Sequence, residues 1–289
     1  MRKLITVLAG SLLTALALTA CGAGGQAGTP DGSAPAESTS AGTSGELTTV
    51  VVGASPVPQA KILEFVQDKL ATEAGIKLEI REFDDYVLPN EALAAGELDA
   101  NYFQHLPYLE DQIKEKGYQF SHGEGIHIEP YALFSKKFKS ASEVPDGAVV
   151  ALTNDPSNQY RGLKLLETVG LLKDVNPGDS VLTLTDAQNP KHLKFEENQP
   201  EVIVQQLDDP KVDVALINGN FILTAGLNTD DAIAAETVKG NPYANILVWR
   251  TDNTNPGVAI LDKLLHSQEV ADFIKQTWPS GSVVPGTEG

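Results

Sequence analysis

Four groups of residues in this chain carry side chains that could do chemistry. The densest runs from Tyr86 to Tyr108, where Tyr86, Asn101, Tyr102, Phe103, His105 and Tyr108 fall within 23 residues of a chain that is only 6% aromatic. Rings concentrated in this way either fill a core or line a pocket for something small and apolar. A second group, His122, Glu124, His127 and Glu129, places two imidazoles and two carboxylates within eight residues, with His105 nearby in sequence. These are metal donors, so a metal-binding protein using His122, Glu124 and His127 is one reading, although the intervening glycines suggest a loop and the spacing matches no common zinc pattern. The third group is Asn154-Asp155-Pro156-Ser157-Asn158 with Arg161, and the fourth is Asn218-Gly219-Asn220 at the end of an apolar run.

Arg161 reads as part of the first turn of a helix, where a cation opposes the macrodipole unless an anion sits in front of it. Either an anion binds there, or the guanidinium bends into solvent or pairs with Asp155. The Asn218-Gly219 pair reads as a turn or as a site. Enzymatic signatures are missing from the sequence: it contains no Gly-x-Ser-x-Gly, no His-Glu-x-x-His, no P-loop and no dinucleotide fingerprint. Enzymatic readings therefore lack a nucleophile with a partner, and neither catalytic residues nor a cofactor are expected. A formal charge of -18, with Lys136-Lys137-Phe138-Lys139 as its one short basic run, argues against a nucleic-acid partner.

The elements that must position these groups begin after a leader. Met1-Arg2-Lys3 followed by an apolar stretch to Ala20 has the layout of a secretory signal, residues 1–20. Cys21 is the only cysteine, so no intramolecular disulfide can form. Residues 22–45 contain no Leu, Ile, Val or aromatic residue and read as a flexible tether. From Leu47 the chain alternates strand and helix. A β-branched run to Gly53 precedes a helical segment with Ile62, Phe65, Val66 and Leu70 in register, and an alternating strand follows over 76–83. That βαβ unit predicts a mainly parallel sheet, with ligands at the carboxyl ends of its strands.

Leu98-Asp99-Ala100 reads as the next strand, residues 106–116 as a helix closed by Gly117, and Tyr131–Ser135 as a further strand. A second βα start, Ala148–Leu152 followed by a helix over 159–169, predicts a second lobe. Strands over 212–217 and 244–250 and a terminal helical region over 257–277 complete the pattern. The expected organisation is a first lobe over 46–135, a second over 136–243, and a return to the first over 244–289.

Tyr86-Val-Leu-Pro-Asn-Glu-Ala-Leu, Asp99-Ala-Asn-Tyr-Phe-Gln-His-Leu-Pro-Tyr108, Ser135-Lys-Lys and Asn154-Asp-Pro-Ser-Asn158 with Arg161 together resemble the NlpA/MetQ family of methionine-binding lipoproteins. The likeness extends from about Val50 to Trp249. It implies a two-lobed α/β periplasmic-binding-protein fold with a hinge, serving as the substrate-binding component of a methionine ABC importer. By that resemblance Tyr86, Phe103, His105 and Tyr108 surround the ligand side chain, Arg161 grips its carboxylate, and Asn218 bonds its amino-acid backbone, with Asn158 nearby. Leu18-Thr19-Ala20-Cys21 resembles a bacterial lipobox, which implies cleavage before Cys21 and attachment of acyl chains, palmitate among them. The implied partners are L-methionine or a related small amino acid, the permease and ATPase of the importer, and the membrane through lipid on Cys21. The implied location is extracytoplasmic. Tyr102, Gln59 and the Asn218-Gly-Asn-Phe block depart from the family's pattern, and Asn220 stands ready for the role of Asn218.

Overall fold

The computed structural model describes residues 46–288. The signal segment, Cys21 and the tether lie outside the described residues. In chain order the strands are β1 (Thr48–Ala54), β2 (Ile76–Glu82), β3 (Ala100–His105), β4 (Phe120–Ile128), β5 (Ala132–Phe134), β6 (Val149–Thr153), β7 (Lys194–Asn198), β8 (Val214–Ile217), β9 (Ala234–Ala235), β10 (Asn245–Arg250) and β11 (Val284–Pro285). The α-helices are α1 (Lys61–Val66), α2 (Leu88–Ala94), α3 (Leu106–Lys116), α4 (Pro156–Thr168), α5 (Ile203–Gln206), α6 (Gly219–Thr224), α7 (Gly257–Leu265) and α8 (Gln268–Thr277). A wider turn, Gln67–Ala71, continues α1 at its end, whereas the chain entering it over Pro56–Ala60 is kinked at Val57, whose backbone is extended. No helix among the described residues is long and apolar enough to cross a membrane.

The strands form two sheets, in the orders β11-β4-β10-β3-β1-β2 and β7-β6-β8-β5-β9. Each has a parallel centre, β2-β1-β3 and β7-β6-β8, built by βα crossovers as the sequence predicts. Each also carries antiparallel pairs, and direction of travel explains them. β3 runs toward the gap between the sheets and ends there at His105, whereas β10 enters from the other lobe and starts at that gap. It therefore runs antiparallel to β3 and to β4. β5 starts at the same gap from the opposite side and is antiparallel to β8.

Side chains alternate across each sheet with period two, so each sheet has two apolar faces. In the first, Val50, Val52, Leu78 and Leu247 meet Ile62, Leu261 and Ile274 of α1, α7 and α8. Its other face packs Val248 on Leu93 of α2 and Leu109 of α3. In the second, Val150, Leu152, Val214 and Leu216 meet Leu163 and Leu166 of α4. Ala132, Phe134, Ala215 and Ile217 face Ile203 of α5 and Ile222 of α6.

Three expectations need correction. β5 was assigned to a first lobe ending at 135, but it pairs with β8 and β9 in the second sheet, so the first crossing comes before residue 132. An isolated apolar run cannot show which sheet accepts it. The stretch containing His122 and His127 is a nine-residue strand, not a loop. Gly123 and Gly125 answer to close approach instead, since a Cβ on Gly125 would stand 2.6 Å from the Ala244 Cβ. Finally, the strand placed at 98–100 is β3, with Tyr102 and Phe103 inside it and all six residues buried. A central strand covered on both faces has no polar alternation to mark its limits.

Candidate ligand-binding site

Between the two sheets lies a narrow, closed-down cavity of about 20 Å³, with room for little more than a water molecule. All seven residues named from the sequence line it: Tyr86, Phe103, His105, Tyr108, Asn158, Arg161 and Asn218. Four come from the first lobe. Tyr86 sits in the connection from β2 to α2, Phe103 on β3, His105 at the start of α3, and Tyr108 in the first turn of that helix. Their rings meet at angles, with Tyr86 and Phe103 centroids 5.8 Å apart, Tyr86 and Tyr108 5.9 Å, and Phe103 and Tyr108 6.0 Å. The Tyr108 hydroxyl donates to the Tyr86 carbonyl at 2.8 Å and fixes the cage at its rim.

His105 caps α3: its Nδ1 accepts the Tyr108 N–H at 3.2 Å. Nδ1 is therefore unprotonated, and Nε2–H donates across the gap to Asn158 Oδ1 at 3.0 Å. Burial and the nearby Arg161 charge lower the imidazole to about 3, so it stays neutral under ordinary conditions. Burial, and then Glu129, raise the Tyr86 hydroxyl well above its usual range. As a protonated donor it reaches across to Asn220 Oδ1 at 2.5 Å.

The second lobe presents its polar groups from two helix starts. Asp155 caps α4 by accepting the Asn158 N–H at 2.8 Å, and it also holds the Asn158 amide at 3.1 Å. Asn158 Oδ1 then receives both His105 and, at 2.9 Å, Asn218 Nδ2 from the start of α6. Arg161 lies in the second turn of α4, not the first, and its countercharge is Glu236 rather than Asp155. Nε bonds Glu236 Oε1 at 2.8 Å, Nη2 bonds Oε2 at 2.6 Å, and Nη2 also donates to the Glu129 carbonyl at 2.8 Å. The guanidinium lies 4.4 Å from the Tyr243 ring centroid. Burial alone would lower its pKa, but Glu236 outweighs this and raises it. The Nε–Nη2 edge of the guanidinium is thus taken by the protein. Nη1 is the guanidinium nitrogen without a protein hydrogen bond among the described residues.

The rest of the aromatic stretch does other work. Asn101 and Gln104 close an amide network with Asn90 that ties α2 to β3, with bonds of 2.8 to 3.0 Å. Tyr102 points to the opposite face and bonds His127 Nδ1. His127 is buried and bonds Glu129 Oε1 through Nε2 at 2.7 Å, whereas His122 and Glu124 are exposed. The three residues of the metal reading are not brought together, and among the described residues no group of three or more His, Cys, Asp or Glu could hold a metal ion. Gln104, Glu129, Gly219 and Asn245, which the sequence did not assign to this site, also line the cavity, as does Asn220, the alternative to Asn218. Glu129 and Asn245 flank the points where the chain changes lobes, and it is those crossings that bring them to the cavity.

Enclosure between two α/β lobes joined by two crossings, with each lobe supplying half the lining, defines a two-lobed periplasmic-binding-protein fold. Residues 50–287 match the model of the NlpA lipoprotein family, and the chain belongs to that family. It is 38% identical over 244 residues to the methionine-binding lipoprotein MetQ of Bacillus subtilis, covering 83% of this chain and 88% of that one. It is also 38% identical over 237 residues to the D-methionine-binding lipoprotein MetQ of Escherichia coli, covering 81% and 86%. A nutrient binding protein from Burkholderia cenocepacia, solved bound to methionine, superposes with a TM-score of 0.75 at 41% identity, covering 82% of this chain and 99% of that one.

Proposed function

We propose that this chain is an extracytoplasmic substrate-binding protein, lipid-anchored through Cys21, that captures methionine between its lobes and delivers it to an ABC importer. The observation that carries the reading is the composition of the cavity: angled rings on one side, a guanidinium and amides on the other. Ring edges and faces suit a thioether, whose sulfur gains roughly 0.3 to 1.5 kcal/mol beside an aromatic ring. Tyr86, Phe103, His105 and Tyr108 surround the ligand side chain. Arg161 meets the carboxylate through Nη1 while Glu236 fixes the guanidinium plane, and Asn158 and Asn218 complete the polar half. The relatives' names, methionine-binding lipoprotein among them, support the same ligand. No bond is made or broken in this role.

A thermal-shift screen tests it. Methionine, in one or both enantiomers, is expected to raise the melting temperature more than other amino acids do, since a ligand at 100 times its dissociation constant adds about 2.7 kcal/mol. No shift with any amino acid would overturn the reading.

A further inference from the structure

We propose that Glu129 is the residue by which this cleft recognises a cationic amine, its Oε2 accepting the α-ammonium of the bound amino acid. The inference rests on the amino-acid reading of the cavity and adds to it a determinant of ligand class. Glu129 is 5% exposed and lines the cavity. Its Oε1 is saturated by two donors, Gln59 Nε2 at 2.7 Å and His127 Nε2 at 2.7 Å, the latter backed by Tyr102. Oε2 receives no hydrogen bond from the protein among the described residues. In the same corner Gln59 Oε1 is a fully buried acceptor without a partner. Buried acceptors left unmatched are costly, and a ligand ammonium brings three N–H donors and the charge that a carboxylate favours.

Neighbouring geometry keeps that oxygen accessible. The Glu129 carbonyl is held by Arg161 Nη2 at 2.8 Å, which fixes the backbone from which the side chain departs. A Cβ on Gly219 would stand 2.4 Å from the Glu129 Cβ and 3.0 Å from Oε2, so glycine there leaves the carboxylate uncovered. Arg161 and Glu129 thus set a cation and an anion side by side at one end of the cavity, the pattern that an amino-acid zwitterion complements. Acids that share the side chain but carry hydrogen or hydroxyl in place of the amine would leave Oε2 unmatched.

Calorimetry on the full chain tests this with methionine and its des-amino analogue, 4-(methylsulfanyl)butanoate, for wild type and Glu129→Gln. If the wild type prefers another amino acid, that acid and its des-amino analogue replace the pair. Wild type is expected to favour the amine by at least about 30-fold, the scale of an unmatched buried charge. Glu129→Gln is expected to remove most of that preference while leaving the des-amino analogue's affinity within a few-fold. Equal wild-type affinity for the two ligands would overturn the proposal while leaving amino-acid binding intact. So would a folded Glu129→Gln protein that keeps the preference or loses both ligands equally. Should that variant fail to fold, the wild-type ratio alone decides. Absence of binding by any amino acid would instead sink the reading on which the proposal rests.

Discussion

At the scale of single residues, Arg161 is where the sequence argument and the structure bear on each other most. A cation in a helix start asks for an anion, and a ligand carboxylate is one candidate. The structure supplies Glu236, with two bonds to the guanidinium, and side chains that are 4% and 12% exposed. Removing one member of a buried pair leaves the other charge without compensation, at a cost of about 3 to 5 kcal/mol. Arg161→Ala is therefore expected to lower the free energy of urea unfolding by that amount, in addition to weakening amino-acid binding. Combining it with Glu236→Gln should recover part of the stability and none of the affinity. A single variant as stable as wild type would show that Glu236 finds other compensation.

At the scale of elements, the site depends on how closely α6 approaches the end of β4. Gly219 opens that helix directly against Glu129, with no room for a methyl group between them. Gly219→Ala should push the start of α6 away and cost about 1 to 3 kcal/mol, read from the urea midpoint. It should also weaken amino-acid binding, because Asn218 and Asn220 move with the helix. Unchanged affinity would mean that the two asparagines do not need this approach. Such contacts explain what was legible in the sequence. The βα starts, the capping of α3 after His105 and the turn into α6 after Ile217 all follow from local pattern, so all seven named residues could be traced to helix starts, a strand and loops. The limits of β3, the sheet that takes β5, and β4 as a strand depend on partners distant in sequence, such as Ala244 against Gly125. Asn245 stayed hidden for the same reason, and Glu129 was legible only as a metal donor, since the position of both at the cavity is created by the crossings.

At the scale of the whole molecule, the two crossings are bound to each other. The Glu236 N–H donates to the Tyr131 carbonyl at 2.9 Å, the Tyr131 N–H donates to Glu236 Oε2 at 3.0 Å, and Arg161 grips both segments. A hinge motion of the lobes would pivot on this fastened pair, with opening controlled at the far side of the cavity. Two direct bonds span that gap, Tyr86 Oη to Asn220 at 2.5 Å and His105 Nε2 to Asn158 at 3.0 Å. The Tyr86 ring also packs on Phe221 of the opposite lobe, 5.2 Å between centroids, so deleting only the hydroxyl isolates the polar latch. A hydrogen bond of this kind contributes about 1 kcal/mol, enough to change the ratio of closed to open molecules roughly five-fold. Tyr86→Phe is accordingly expected to give a larger radius of gyration than wild type in X-ray scattering without added ligand. Saturating methionine should bring the two proteins to the same value, because a ligand that bridges the lobes replaces the missing bond. If the radii agree without ligand, closure is governed by the apolar contact of Tyr86 and Phe221, and the hydroxyl serves only to orient the ring.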